Sequence, residues 1–392
     1  MRTTILGLAL TLFTVASLPA QSPAAWPSTY ARVWKVEIGE GYSSPVLSGS
    51  RVFVHSRKDP QELVTALDAK TGAVLWQGEY AAAFNKNGYA VKMGKGPNAT
   101  PLVAGGRVFT LGASGHVYAW DEATGKQVWS KDFSSRVDTS KLFCGTAASP
   151  TLVSGAVIVQ IGSDVHGGSI VALDPATGAV KWEWKGDGPG YATPISFETG
   201  GTRHLVTLTN KAIVGVNAAT GALLWSTPFP DEWMENIVTP VWTGSALIVS
   251  GIRQGTHAYR LALAGGKWTA TPMWKNADVT MYMSTPVVAD GVVYGLSAKR
   301  KGQFVALDAG TGALKWATEG REGEHASLWL TPQHVAFLSN TGALVVARRS
   351  GDSFQLEKKY EVAASETWAR PVVAGGDLIV RDATSVNRLT GK

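Results

Sequence analysis

Cysteine is nearly absent: Cys144 is the single one in 392 residues. One thiol excludes an internal disulfide, and its place far from the N-terminus is not that of a lipid-anchor cysteine. A chain without cross-links is expected to hold together through its core alone, for which this length is ample. No base motif accompanies Cys144, so it reads as a small packed residue rather than a nucleophile. Long apolar runs are also scarce. Beyond the run from Ile5 to Val15, no stretch approaches the roughly 18 uncharged apolar residues of a membrane-spanning helix. Arg2, that run and Ser17-Leu18-Pro19-Ala20 give residues 1–20 the pattern of a signal peptide, with cleavage expected after Ala20 and Ala25 as the alternative. The mature chain is therefore expected to be periplasmic or secreted, without a transmembrane segment.

Charge is not concentrated either. There are 36 basic and 30 acidic residues, a net +6, scattered rather than run together, which argues against a nucleic-acid partner. The seven histidines (55, 116, 166, 204, 257, 325 and 334) show no metal-ligand spacing. Gly162-Ser163-Asp164 lacks the context of a nucleophile elbow. Glu235, Glu322, Glu324 and Glu366 have no spacing that forces an acid–base pair. No catalytic, cofactor-binding or metal residue is assigned.

What the chain does have is one unit repeated. VALDPATGAVKW, Val171–Trp182, returns as VALDAGTGALKW at 305–316, with close copies ending at Trp76, Trp129 and Trp225. An apolar β-prone start, D/N-x-x-T-G and an alternating end describe strand, tight turn, strand. The Asp or Asn side chain can bond backbone N–H groups just ahead of it, and the Gly accepts positive φ. Trp34, Trp76, Trp129, Trp182, Trp225, Trp274 and Trp316 recur in one phase and read as docking pegs between neighbouring units.

A second marker, Ser or Thr before Pro, precedes each hairpin at Pro45, Pro101, Pro150, Pro194, Pro240, Pro286 and Pro332; Arg370-Pro371 keeps the Pro without the hydroxyl. The hydroxyls are expected to bond the turn at their own strand entry. The prolines recur about every 47 residues, a period that suits four-stranded propeller blades. In Thr285–Trp316 strands are predicted at Pro286–Ala289, Val292–Ser297, Gln303–Leu307 and Ala313–Thr318. The chain ends on a third strand, while Arg32–Glu37 stands as a spare fourth strand with Trp34 in peg position. The prediction is thus all-β: an eight-bladed β-propeller of four-stranded antiparallel blades, the last closed by the N-terminal strand. Residues 21–31 are expected to be a linker and 32–392 a single domain.

The repeated A-x-D-x-x-T-G-x-x-x-W resembles the tryptophan-docking repeat of pyrroloquinoline-quinone (PQQ) propellers, from about Arg32 to Lys392. That superfamily includes quinoprotein alcohol dehydrogenases and the non-catalytic outer-membrane assembly factor BamB. The dehydrogenases typically add an adjacent-cysteine disulfide and a calcium beside PQQ. This sequence has no Cys-Cys pair and no matching calcium ligands, so neither PQQ nor calcium is expected here.

Blade geometry places the long connections, from strand D to the next strand A, on one face. They set one residue per blade at the mouth of the axial channel, three before each Pro: Tyr42, Asn98, Ala147, Tyr191, Ile237, Met283, Trp329 and Trp368. Of these, Tyr42, Asn98, Tyr191, Met283, Trp329 and Trp368 are the candidate binding residues; the competing reading is that they plug the channel. Lys86, Lys92, Lys95, Lys131, Arg136 and Lys141 give the two longest connections a basic lip or a solvated surface. The expected function is an exported, non-catalytic, monomeric scaffold that binds a protein partner in the cell envelope. The alternatives are a PQQ-dependent dehydrogenase and a carbohydrate-binding secreted module.

Overall fold

The computed structural model describes residues 25–88, 90, 94–139 and 142–392. Residues 1–20, expected to be a signal peptide, lie outside these, as do Lys92 and Lys141. The described residues form eight four-stranded antiparallel sheets arranged as the blades of a propeller. Blade 3 is representative: Thr151–Val153, Ala156–Ser163, Gly167–Leu173 and Val180–Gly186 run outward from the axis. In blade 6 the strands are Val287–Ala289, Val292–Ser297, Gln303–Asp308 and Leu314–Ala317, within a residue of their predicted bounds.

Blade 8 consists of Val372–Ala374, Asp377–Arg381 and Ser385–Gly391, completed by Tyr30–Glu37. Trp34 stands opposite Arg388 and Val36 opposite Val386. The residues assigned to a linker belong partly to this blade. Trp26 is buried against Tyr360 and His334, Ser28 N–H donates to Lys392 O, and the strand starts at Tyr30. An indole with a core to enter does not stay in a linker.

Each D-x-x-T-G turn is built from its own side chains. Asp174 Oδ1 accepts from the N–H of Ala176 and Thr177 and from the Thr177 hydroxyl. Asp68, Asp121 and Asp308 repeat the pattern, and Asn217 does so through backbone donors. The turn glycine has φ near +70° in every copy and lies flat against the Trp of the preceding blade. At Gly178 a Cβ would stand 2.7 Å from the Trp129 ring.

Trp34, Trp76, Trp129 and Trp274 each donate Nε1–H, at 2.9–3.2 Å, to the carbonyl just after the turn Asp of the next blade. Trp182 lies over Gly221, and Trp316 donates to Ser350 O. Trp225 departs from the docking pattern. Blade 5 turns at Gly265-Gly266 and offers no D-x-x-T-G knuckle, so Trp225 folds back over Gly215 of its own blade and bonds His204 Nδ1. Trp268, on the long blade 5 hairpin, closes over His204 from the other side. Burying one such indole is worth about 2–3 kcal/mol, and the pegs are 4–9 % exposed except the half-buried Trp182.

Blade 7 is also out of phase with its marker. Its inner strand is Ala326–Leu330, which precedes Thr331-Pro332; that dipeptide belongs to the following turn. The true counterpart of Thr285-Pro286 is Ser327-Leu328.

The candidate functional site: the axial mouth on the long-connection face

Approaching each inner strand, every second residue faces the axis and its neighbours are buried between blades. In blade 1, Tyr42, Ser44 and Val46 are partly exposed while Ser43 and Pro45 are buried. The same alternation repeats around the ring. It brings Tyr42, Asn98, Tyr191, Met283 and Trp368 together around a cavity of about 180 Å³, with Ala147 and Ile237 also in its wall. All eight strand-D to strand-A connections contribute.

Trp329 is not among them. It lies within the blade 7 inner strand, 2 % exposed, in the core shared with Leu338, Leu344 and Tyr360. His325 takes its place at the mouth. The shift follows from the blade 7 phase: a Leu replaces the marker Pro, and a chance Thr-Pro stands four residues later. Phe143 and Cys144, from the second long connection, were also missed. Aligning His325-Ala326-Ser327 with Met283-Ser284-Thr285 would have found His325; nothing local marks the other two.

The walls are aromatic and mostly uncharged. Trp368 stacks on His325 with ring centres 5.3 Å apart and meets Tyr42 at 6.0 Å. Burial lowers the His325 pKa to about 4, so the ring is neutral at pH 7, and its Nδ1–H donates to Met283 O at 2.6 Å. The Tyr191 hydroxyl accepts from Phe143 N–H at 2.7 Å and Cys144 N–H at 3.4 Å, which pins the long connection to the channel. Burial pushes the Cys144 thiol pKa up, which keeps it protonated and a poor nucleophile. Burial likewise raises Glu235, whose carboxylate accepts from the Tyr282 hydroxyl. Glu366 accepts from Trp368 Nε1 at 3.3 Å.

The basic lip is largely occupied. Lys95 pairs with Asp59 at 2.9 Å and Arg136 with Glu183 at 2.7 Å, while Lys86 donates to Gly94 O. Among the described residues, no three His, Cys, Asp or Glu side chains gather as a metal-ion ligand set. No Asp or Glu among the described residues lines the cavity.

Directly beneath the cavity the Ser/Thr markers form a girdle. Thr100 Oγ1 accepts from Ser44 N–H at 3.0 Å, Ser149 Oγ from Thr100 N–H at 2.9 Å, and Thr193 Oγ1 from Ser149 N–H at 3.2 Å. Thr239 and Thr285 continue the series, and Ser44 accepts from Arg370 N–H at 2.9 Å. The expectation that these hydroxyls bond their own turns holds at Thr331, whose Oγ1 accepts from His334 N–H at 3.0 Å, and is corrected at the six girdle positions. Each of those six accepts from the blade before it, because its own strand-entry N–H is already turned toward the next blade.

Fold and mouth together define a closed eight-bladed propeller of PQQ-like repeats whose eight inward connections build one site. The family profile described as outer membrane protein assembly factor BamB matches residues 24–201, 60–318 and 209–391, and the chain belongs to that family. A BamB of Yersinia pestis is 26 % identical over 297 residues, covering 72 % of this chain and 71 % of that one. Among solved structures, BamB from Moraxella catarrhalis superposes with a TM-score of 0.63 at 16 % identity, over 92 % of this chain and 99 % of that one. Quinohemoprotein alcohol dehydrogenase from Comamonas testosteroni reaches the same TM-score at 14 % identity, over 93 % and 77 %. At such identities the two structures speak to the fold alone.

Proposed function

We propose that the protein is a non-catalytic envelope scaffold that docks a protein partner during outer-membrane protein assembly, through the long-connection face. The observation that carries this reading is the family match along the described chain, joined to a face held rigidly by bonds between connections. Export by residues 1–20, action in the periplasm as a monomer, and the absence of a cofactor belong to the same proposal. A fixed surface suits docking because little ordering entropy remains to be lost on binding.

The test is reciprocal capture from envelope membranes of the source organism, combined with deletion of the gene. Co-purification of an outer-membrane assembly component and reduced levels of outer-membrane β-barrel proteins in the deletion strain are expected. A chain recovered alone, with an unchanged outer-membrane profile on deletion, overturns the reading. Saturable PQQ binding with dye-linked alcohol oxidation would favour the dehydrogenase instead.

A further inference from the structure

The eighth position of the girdle carries a charge where the others carry hydroxyls. Thr367 and Ala369 are buried between blades, whereas Trp368 and Arg370 face the axis, so Arg370 projects into the channel one layer below the cavity. Its backbone keeps the girdle bond to Ser44. Its side chain is open to water, yet burial lowers its pKa, and no carboxylate acts on it. Both conditions are met together where a side chain reaches into a channel walled by the surrounding blades.

The axis-facing neighbours supply no counter-charge. The layer beneath is Val46, Leu102, Thr151, Ile195, Val241, Val287 and Val372, and the layer above is the aromatic cavity. Glu366, the nearest carboxylate in sequence, is turned to Trp368 Nε1. The girdle hydroxyls accept backbone bonds, and among the described residues none of the six donates its own proton to a protein acceptor. A second guanidinium lies behind Tyr42: Arg381 is 1 % exposed, and its Nε and Nη2 have no partner. It adds positive potential to the same side of the channel.

We infer that the axial channel holds an oxyanion, with Arg370 as the anchoring cation and the girdle hydroxyls as neutral donors. A carboxylate, a phosphate or a sulfate satisfies this chemistry. Guanidinium binds each of them through two parallel N–H donors, and a cation without a carboxylate partner keeps those donors available for one. The site is independent of the protein partner, so either reading can fail alone.

The experiment is titration calorimetry of the purified chain with sulfate, inorganic phosphate and benzoate, at constant ionic strength set with chloride. Saturable binding of at least one is expected. Benzoate binding more tightly than sulfate would assign the site to carboxylates with an apolar body in the aromatic cavity; the reverse order would assign it to small inorganic anions. Arg370→Thr restores the girdle's own residue type and is expected to fold, checked by circular dichroism, and to weaken binding roughly ten- to a hundredfold. Arg370→Lys should retain part of the affinity. Unchanged affinity in a folded Arg370→Thr protein, or no saturable binding of any of the three anions, overturns the inference.

Discussion

Replacing Gly178 by alanine separates two costs that the docking turn combines. Gly178 has φ of +70°, and Gly155, in the same blade, has φ of +69°. The backbone penalty for a Cβ is therefore the same at both, about 1 kcal/mol. The surroundings differ: nothing lies within 4 Å of a Cβ at Gly155, whereas at Gly178 it would meet Trp129 at 2.7 Å. Trp129 must then move, giving up its bond to Pro175 O at 3.0 Å and part of its packing. The lost bond is worth about 1 kcal/mol and the lost packing about 1–2 kcal/mol. Urea unfolding should therefore show Gly155→Ala costing about 1 kcal/mol and Gly178→Ala about 3–4 kcal/mol. A double-mutant cycle sharpens the test. In a Trp129→Ala background the clash is gone, so Gly178→Ala should cost only its backbone share, a coupling of about 2–3 kcal/mol. Equal losses at Gly155 and Gly178, or strict additivity with Trp129→Ala, would refute the docking argument.

Other consequences are open to direct measurement. Thr side-chain and backbone donors hold the carboxyls of Asp68, Asp121, Asp174 and Asp308 below their ordinary pKa. Their stability contribution is complete above the unfolded carboxyl pKa and is lost as pH falls through the folded one. Exchanging all four for Asn, which already serves at position 217, should flatten the acid limb of a stability–pH curve. His325, with a pKa near 4, stabilises the fold above the unfolded value of about 6.5, and its share declines as pH falls from there toward 4. Its NMR resonances should show no titration between pH 8 and 5.5. Buried Glu62 accepts from the Tyr80 hydroxyl at 2.6 Å, Ala113 N–H at 3.0 Å and Arg57 Nη1 at 3.4 Å. Glu62→Ala strands Ala113 N–H and leaves Arg57 only Asp59 and Ala82 O, and Tyr80 only His55, so it should cost about 3 kcal/mol in chemical unfolding. Deleting residues 25–37 removes the fourth strand of blade 8 and should abolish cooperative unfolding in calorimetry.

What was legible in the sequence was what each unit does to itself. The Asp–Thr–Gly turn closes within five residues, so its chemistry is written consecutively and can be counted in repeats. The pegs were legible as a phase, but their acceptors lie 34–46 residues away, and the Trp225 exception is caused by what blade 5 lacks. The girdle was misread for the same reason: Ser149 and Thr193 look like local capping residues until the neighbouring blade is present. At the mouth, five of six chosen residues converge because the Pro marker keeps step with the strand. Trp329 misses because Pro332 marks a turn in blade 7 instead. Phe143 and Cys144 reach the cavity through a long connection whose path depends on the Tyr191 hydroxyl, a contact 47–48 residues distant.

The mouth depends on the far ends of the chain. Its eight connections come from eight blades, and their spacing is fixed only when the ring is closed by Tyr30–Glu37 against Ser385–Gly391. At that seam Arg381 of blade 8 reaches into blade 1, where Nη1 donates to Ser43 O at 2.9 Å and His55 O at 2.6 Å. Ser43 lies between Tyr42, in the cavity wall, and Ser44, in the girdle, so closing the ring sets both layers at once. A Ser or Thr side chain at position 381 could not span this distance, and the desolvated guanidinium is held there by carbonyls rather than by a carboxylate. Burial brings its pKa down to about 9, still well above neutrality, so the charge persists at physiological pH. Arg370 in the lumen and Arg381 behind it therefore both come from blade 8, the one blade assembled from both ends of the chain. A ring that failed to close would lose the long-connection face and the channel's positive side together, which ties both proposed activities to the same cooperative event.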